Sequence, residues 1–204
     1  MAEKNQGSTR DKIFNQATKL FSQEGYHAVS IRNIAKEVGI KQSSIYNHFG
    51  SKEDILDQIL TEFDNELSGR EFPEELFAQL IREKSPEEVF RISSERFIQY
   101  WQDEQRTRMW FIVSMEQYRN KKAAQIIIDE TNRNLHGLSK IFQMLMNEGK
   151  ITEADPFTLA VEYGYSIRAL HLELELRRLH HMHPEVIQER MDQRIQTFIQ
   201  GIQR

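Results

Sequence analysis

The sequence predicts an all-α fold, on three observations. Apolar residues recur at three- and four-residue intervals over most of the 204 positions, the signature of amphipathic helices. No stretch alternates apolar and polar residues with a period of two long enough to build a sheet. The prolines Pro73, Pro86, Pro156 and Pro184 each stand just ahead of a helical pattern, where a missing backbone N–H does no harm. The expected architecture is a three-helix N-terminal head and a larger C-terminal helical bundle, about nine helices in total.

Residues 1–8 read as a disordered segment or a short arm. The first helix follows, with Ser8 and Asp11 spaced as a capping box and Ile13, Phe14, Ala17, Leu20 and Phe21 as its apolar stripe, ending at Gly25. Tyr26 and Val29 close the corner behind it. Ser30 caps a second helix whose Ile31, Ile34, Ala35 and Val38 fall at i, i+3, i+4 and i+7. Gly39 then supplies the left-handed residue at which a helix usually stops. A third helix begins within about three residues. From Gln42 to Phe49 its only large, wholly apolar residues are Ile45 and Phe49, four apart on one side. Ser51 and Asp54 cap a fourth helix with the stripe Ile55, Leu56, Ile59, Leu60 and Phe63, which links head to body. Gly69 and Pro73 interrupt the pattern, placing a boundary at 66–74 and dividing the chain into a head (1–52), a linking helix (53–66) and a ligand-binding and dimerisation domain (67–204). Within the last, helices are expected near 86–103, 106–119, 121–148, 156–180 and 184–202.

Two short helices separated by a glycine turn, the second polar on its outer side, are the plan of a helix-turn-helix reader of the DNA major groove. The residues that carry this plan are Gly25-Tyr26, Ser30-Ile31-Arg32, Ile34-Ala35, Val38-Gly39-Ile40, Ile45-Tyr46, His48-Phe49 and Ser51-Lys52-Glu53. In order and spacing this string resembles the TetR family of bacterial transcriptional repressors. The resemblance covers roughly the first 60 residues and departs from the family at Lys41, where a small polar residue is common. It implies a homodimer that binds a palindromic double-stranded DNA operator in the cytoplasm and is released by a small-molecule effector.

Charge distribution agrees with a DNA-binding head. The net charge is -4, yet residues 1–52 hold 8 Lys and Arg against 4 Asp and Glu, and the rest hold 19 against 27. With no cysteine, disulfides and thiolate metal sites are excluded. No apolar run is long enough for a signal peptide or membrane span. Gly-x-Ser-x-Gly, His-Glu-x-x-His and glycine-rich phosphate loops are all missing, so the chain is not expected to be an enzyme or to carry a cofactor.

The DNA-binding candidates are Arg32, Lys41, Gln42, Ser43, Ser44, Tyr46, Asn47, His48 and Lys52. Gln42, Ser43 and Asn47 suit base edges, Gln42 especially adenine, because a recognition helix reads with its N-terminal residues. Tyr46, His48 and Lys52 resemble the family's phosphate contacts, and Arg32 suits either a guanine or the backbone. If Arg32, Lys36, Lys41 and Lys52 each neutralise a phosphate, a dimer's log affinity falls against log salt with a slope near about −7. The plainer reading is a solvated polar face.

Trp101, Trp110, Phe111, Met115, Tyr118, Tyr163 and Ile167 are candidates for lining an effector pocket, with core packing the alternative for each and Glu116 and His136 as polar neighbours. The helix at 156–180 is apolar on two sides, and the last helix presents Ile187, Met191, Ile195, Phe198 and Ile202. Paired with their symmetry mates, these two helices make a four-helix dimer interface, for which Tyr165, Leu172, Leu176, Ile195, Phe198 and Ile202 are the candidates. Glu24-x-x-His27 is broken by Gly25, and His180-His181-Met182-His183 reads as a loop rather than a metal site. The competing functional class is a helical dimeric protein-interaction module without DNA binding.

Overall fold

The computed structural model describes residues 8–70 and 72–203, so the arm expected over 1–8 lies outside them apart from Ser8. Among the described residues there are ten α-helices and no strand: α1 (Thr9–Glu24), α2 (Ile31–Val38), α3 (Gln42–Tyr46), α4 (Lys52–Ser68), α5 (Glu74–Glu83), α6 (Pro86–Tyr100), α7 (Glu104–Glu116), α8 (Lys121–Asn147), α9 (Pro156–Leu179) and α10 (Glu185–Ile202). The all-α expectation holds.

Two compact units divide the chain, and neither is continuous in sequence. One comprises residues up to 70 together with 101–130, the other 72–100 together with 131–203. α7 and the first turns of α8 therefore pack with the head rather than with the rest of the body.

In the first unit the expected stripes are buried: Ile13, Ala17, Leu20 and Phe21 of α1, Ile31, Ile34 and Ala35 of α2, and Ile55, Leu56, Ile59, Leu60 and Phe63 of α4. α1 packs on α2, α4 and α7, and α4 on α7. Ion pairs run along α4. Arg106 of α7 meets Glu66 at 2.5 Å, and Lys122 at the start of α8 donates to the Asp57 carboxylate (2.6 Å) and to the Thr61 hydroxyl (2.6 Å). Just beyond α4, Arg70 lies 3.6 Å from the buried Glu130. The linking helix is thereby fastened at both ends to residues far away in sequence.

The second unit is built on aromatic packing. Tyr163 of α9 stands 4.7 Å from Phe90, 5.3 Å from Phe198 and 6.2 Å from Phe142, ring centre to ring centre. Ile81, Leu145, Ile151, Ile195 and Ile199 fill in around the rings. At Gly164 α8 and α9 approach closely: a Cβ there would stand 2.9 Å from Leu135 Cδ2 and 3.0 Å from Leu138 Cδ1, so the leucine side chains would have to shift to admit it. His171 of α9 is buried, stacks on Phe97 with 4.3 Å between centres, and shares a hydrogen bond of 3.3 Å with the Ser94 hydroxyl. Burial, with the nearby Arg178 charge, brings its pKa down to about 4, so this imidazole is neutral at physiological pH.

The two helices proposed for dimerisation differ from the sequence expectation. α9 does carry two apolar stripes: Leu159, Tyr163, Ile167 and Leu174 are buried, while Tyr165, Leu172, Leu176 and Leu179 are each about half exposed. α10 has one stripe, and its own chain covers it. Ile195 and Phe198 sit in the aromatic core at 2% and 7% exposure, and Ile202 packs at its edge. The reason is geometric: a helix with apolar residues spaced by three and four has a single apolar face, and that face is spent against α6 and α9. Ile195 and Phe198 are therefore core residues of this chain, and Ile202 is half-buried at the edge of that core.

Candidate nucleic-acid interface

The head is shaped by its caps. The Ser30 hydroxyl accepts from the Asn33 N–H (3.1 Å) while the Asn33 side chain accepts from the Ser30 N–H (2.9 Å), a reciprocal capping box that starts α2. Gly39 ends it with φ +76°, and the Ile40 N–H reaches back 3.0 Å to the Ala35 carbonyl. Two residues later α3 begins at Gln42, its cap Lys41 making no side-chain hydrogen bond.

α3 has five helical residues, fewer than the span Gln42–Phe49. Asn47 and His48 turn instead, because the Ile45 carbonyl accepts both the His48 N–H (2.9 Å) and the Phe49 N–H (3.0 Å). A helix this short does not persist on propensity alone. Ile45 and Phe49, fully buried at 0% and 1% exposure, anchor it. Burying a side chain of that size contributes about 1.5–3 kcal/mol. Phe49 also lies beneath the Arg10 guanidinium, 5.1 Å above its ring.

With the apolar side used up, the other side faces outward. Arg32, Lys36, Lys41, Gln42, Ser43, Tyr46, Asn47 and His48 are exposed and Ser44 is half-buried. Tyr46 keeps 51% of its surface in solvent. Among the described residues none of these side chains makes a hydrogen bond or ion pair within the chain. Cations, amide and hydroxyl groups thus share one surface with free hydrogen-bonding capacity, the donor and acceptor set that phosphates and base edges require.

Lys52, unlike the side chains of α3, has partners within the chain. Its ammonium donates to the carbonyls of Tyr26 (3.0 Å) and Val29 (2.9 Å) and stands 4.2 Å from the centre of the Tyr26 ring. These three contacts tie the half-buried side chain to the corner between α1 and α2. Nothing local in the sequence signals this, because the partners lie 23 and 26 residues away. The helix start itself is as expected: the Ser51 hydroxyl accepts from the Asp54 N–H at 3.1 Å. Hydrogen bonds from Gln58 and from the Gly50 N–H hold the Asp54 carboxyl below the usual carboxylate range.

The effector candidates are divided between the two units. Trp101 and Trp110 lie 5.2 Å apart in the first unit, each 6.3 Å from Phe63 of α4, and Phe111 is half-buried nearby in sequence. Met115 and Tyr118 are 45% and 89% exposed, so Tyr118 lines no enclosed space. Tyr163 and Ile167 belong to the core of the second unit. Of the two polar neighbours, Glu116 is buried and faces His27 at 3.7 Å, whereas His136 is exposed. Among the described residues no three His, Cys, Asp or Glu side chains group to hold a metal, and no helix is long and apolar enough to cross a membrane.

A capped helix, a left-handed glycine and a short anchored helix with an unsatisfied polar surface define a helix-turn-helix domain. Residues 13–59 match the model of the bacterial regulatory proteins of the tetR family, so the N-terminal domain is similar to the DNA-binding domain of that family. Over 63 residues it is 38% identical to the HTH-type transcriptional repressor KstR2 of Mycolicibacterium smegmatis. That match spans 31% of this chain and 31% of the relative, about a third of its length. A TetR-family regulator from Mesorhizobium loti superposes over 96% of this chain and 97% of its own, with TM-score 0.65 and 18% identity. The structure of a SmeT–triclosan complex does so over 97% and 93%, with TM-score 0.62 and 14% identity. At such identities the two structures speak for a shared fold along the whole chain.

Proposed function

We propose that this protein is a ligand-responsive transcriptional repressor that binds a palindromic operator as a homodimer and is released by a small molecule. The observation that carries the reading is the outer surface of α3, where Gln42, Ser43, Asn47 and their basic neighbours Arg32, Lys36 and Lys41 are exposed without internal partners. Gln42, Ser43 and Asn47 take the base edges. Tyr46 and His48, with the basic side chains, take phosphates. The repressor name of KstR2 supports the direction of regulation.

The half-exposed stripe of Tyr165, Leu172, Leu176 and Leu179 on α9 is the surface on which a second copy docks. The dimer then sets two α3 helices about one turn of B-DNA apart, roughly 34–36 Å. Release follows when an effector binds more tightly to a protomer arrangement with a different spacing, and by no more than that difference in affinity. The triclosan held by a protein of the same fold supports a small-molecule effector. Trp101 and Trp110 against Phe63 of α4 are the aromatic surface best placed to pass such a signal to the linking helix. As a regulator of bacterial transcription the protein acts in the cytoplasm.

Selection of bound duplexes from a random pool at low salt tests the assignment. The expected product is an inverted repeat with half-site centres one helical turn apart. Recovery of no preferred sequence, with a partner protein captured on the α3 surface instead, would favour the interaction-module reading.

A further inference from the structure

Resting on the DNA-binding reading, we infer that Lys52 is a positioning residue that sets the attitude of the reading helix, rather than a group that touches DNA. The contacts are specific to one corner of the head. Residues 25–30 join α1 to α2 without regular structure, beginning at Gly25 with φ +83°. In that corner the carbonyls of Tyr26 and Val29 both point at the Lys52 ammonium, which lies 3.0 and 2.9 Å from them. The same ammonium covers the Tyr26 ring at 4.2 Å. A lysine has three donors and a compact charge, and two carbonyls and an aromatic face are a set that satisfies it.

Tyr26 is gripped elsewhere as well. It is 7% exposed and meets Phe21 edge to face at 5.2 Å. Burial and the neighbouring Glu53 carboxylate, the residue after Lys52, push its hydroxyl pKa up to about 12. The first two residues of α4 therefore act on one side chain of the α1–α2 corner. The next residue in the chain, His27, lies 3.7 Å from the buried Glu116 of α7.

The consequence for reading follows from the chain order. α2 starts at Ile31, two residues past Val29, and the Gly39 turn joins α2 to α3 with little freedom. Whatever fixes residues 26–29 against the start of α4 thus fixes the α2–α3 pair against α4. Loss of the Lys52 ammonium leaves two carbonyls without a charged donor and frees that angle, so that fewer molecules present α3 correctly at any moment.

Two hypotheses about Lys52 separate cleanly by salt dependence. A phosphate ligand contributes about 0.9 to the slope of log affinity against log salt for each protomer, whereas a positioning residue contributes none. The experiment measures affinity of the full-length protein for its selected operator from low to moderate salt, together with thermal unfolding of the free protein. Wild type, Lys52→Met, Tyr26→Leu and the double variant are compared. The expected result is at least about a tenfold loss of affinity for Lys52→Met with the slope unchanged, and a lowered Tm in the absence of DNA. Tyr26→Leu removes no charge, yet is expected to weaken binding similarly. In its background Lys52→Met costs less than in the wild type, because the two residues share one interaction. A slope reduced by about 0.9 per protomer, with Tm unchanged and fully additive effects, would overturn the inference. If the wild type binds no duplex, the DNA-binding reading fails, and the Tm cycle between Lys52 and Tyr26 still decides whether the clamp exists.

Discussion

Raising the salt concentration from about 50 to 200 mM weakens operator binding by about a thousandfold, a slope of about −5 on logarithmic axes. The figure comes from Arg32, Lys36 and Lys41, three exposed cations on the α2–α3 surface of each protomer, doubled by the two-fold axis. Counting Lys52 would give about −7, and the difference is the mark of that side chain being occupied by the Tyr26 and Val29 carbonyls. A fluorescence anisotropy titration at several salt concentrations measures it. A slope near zero would mean that the exposed cations face solvent rather than phosphates. Lys41→Ala should lower the slope without changing which sequence is preferred, whereas Gln42→Ala should relax the preference and leave the slope alone.

Replacing Leu172 and Leu176 together by Glu should convert the proposed dimer to monomers. Each leucine is about half exposed in the protomer, at 54% and 46%, so each gains roughly 1 kcal/mol on full coverage and four are lost per dimer. The substitution also brings four carboxylates together across a two-fold interface, where the same patch of each protomer meets its copy. A loss of roughly 4 kcal/mol or more raises the dimer dissociation constant on the order of a thousandfold. Sedimentation at micromolar concentration measures the mass. The circular dichroism spectrum should stay close to wild type, because the stripe is outside the core of the protomer, while Tm falls by the stabilisation that dimerisation supplied. Operator affinity should collapse with dimerisation, since one α3 alone reaches one half-site. A variant that stays dimeric would place the interface elsewhere.

Most of the fold was legible in the sequence because its signals are local. Capping residues act over three or four positions: Ser8 with Asp11, Ser30 with Asn33 and Ser51 with Asp54 all make the bonds that their spacing implies. Asp155 likewise caps α9, its side chain accepting from the Thr158 N–H at 2.6 Å. Gly39 adopts the left-handed conformation that its place after Val38 requires. The polar surface of α3 could be read for the same reason, since Ile45 and Phe49 fix which side is inward.

What could not be read depends on contacts between distant segments. Ile195 and Phe198 have the spacing of an interface stripe, but periodicity says only that a face is covered and not by which chain. Lys52 is flanked by the residues of a helix start, and its partners are two carbonyls 26 and 23 residues earlier in the chain. The aromatic residues of the middle body are alike in composition, yet Trp101 and Trp110 belong to one compact unit and Tyr163 to the other. Membership of a unit is decided by how α7 and the start of α8 fold back on α1 and α4, as with Lys122 on Asp57 and Thr61, and no short-range pattern encodes it.

Site-directed cross-linking tests the placement of α3 most directly, because the chain contains no cysteine and a single introduced thiol is unique. Ser43→Cys puts that thiol on the exposed second residue of α3. The selected operator is prepared with a thiol tether either on a cytosine N4, which opens on the major groove, or on a guanine N2, which opens on the minor groove. Under exchanging thiol conditions the disulfide should form with the major-groove tether inside a half-site and not with the minor-groove tether. A Gln196→Cys control on the exposed side of α10 should react with neither. Equal yields from both grooves, or none from a duplex shown to be bound, would contradict the insertion of α3 into the major groove.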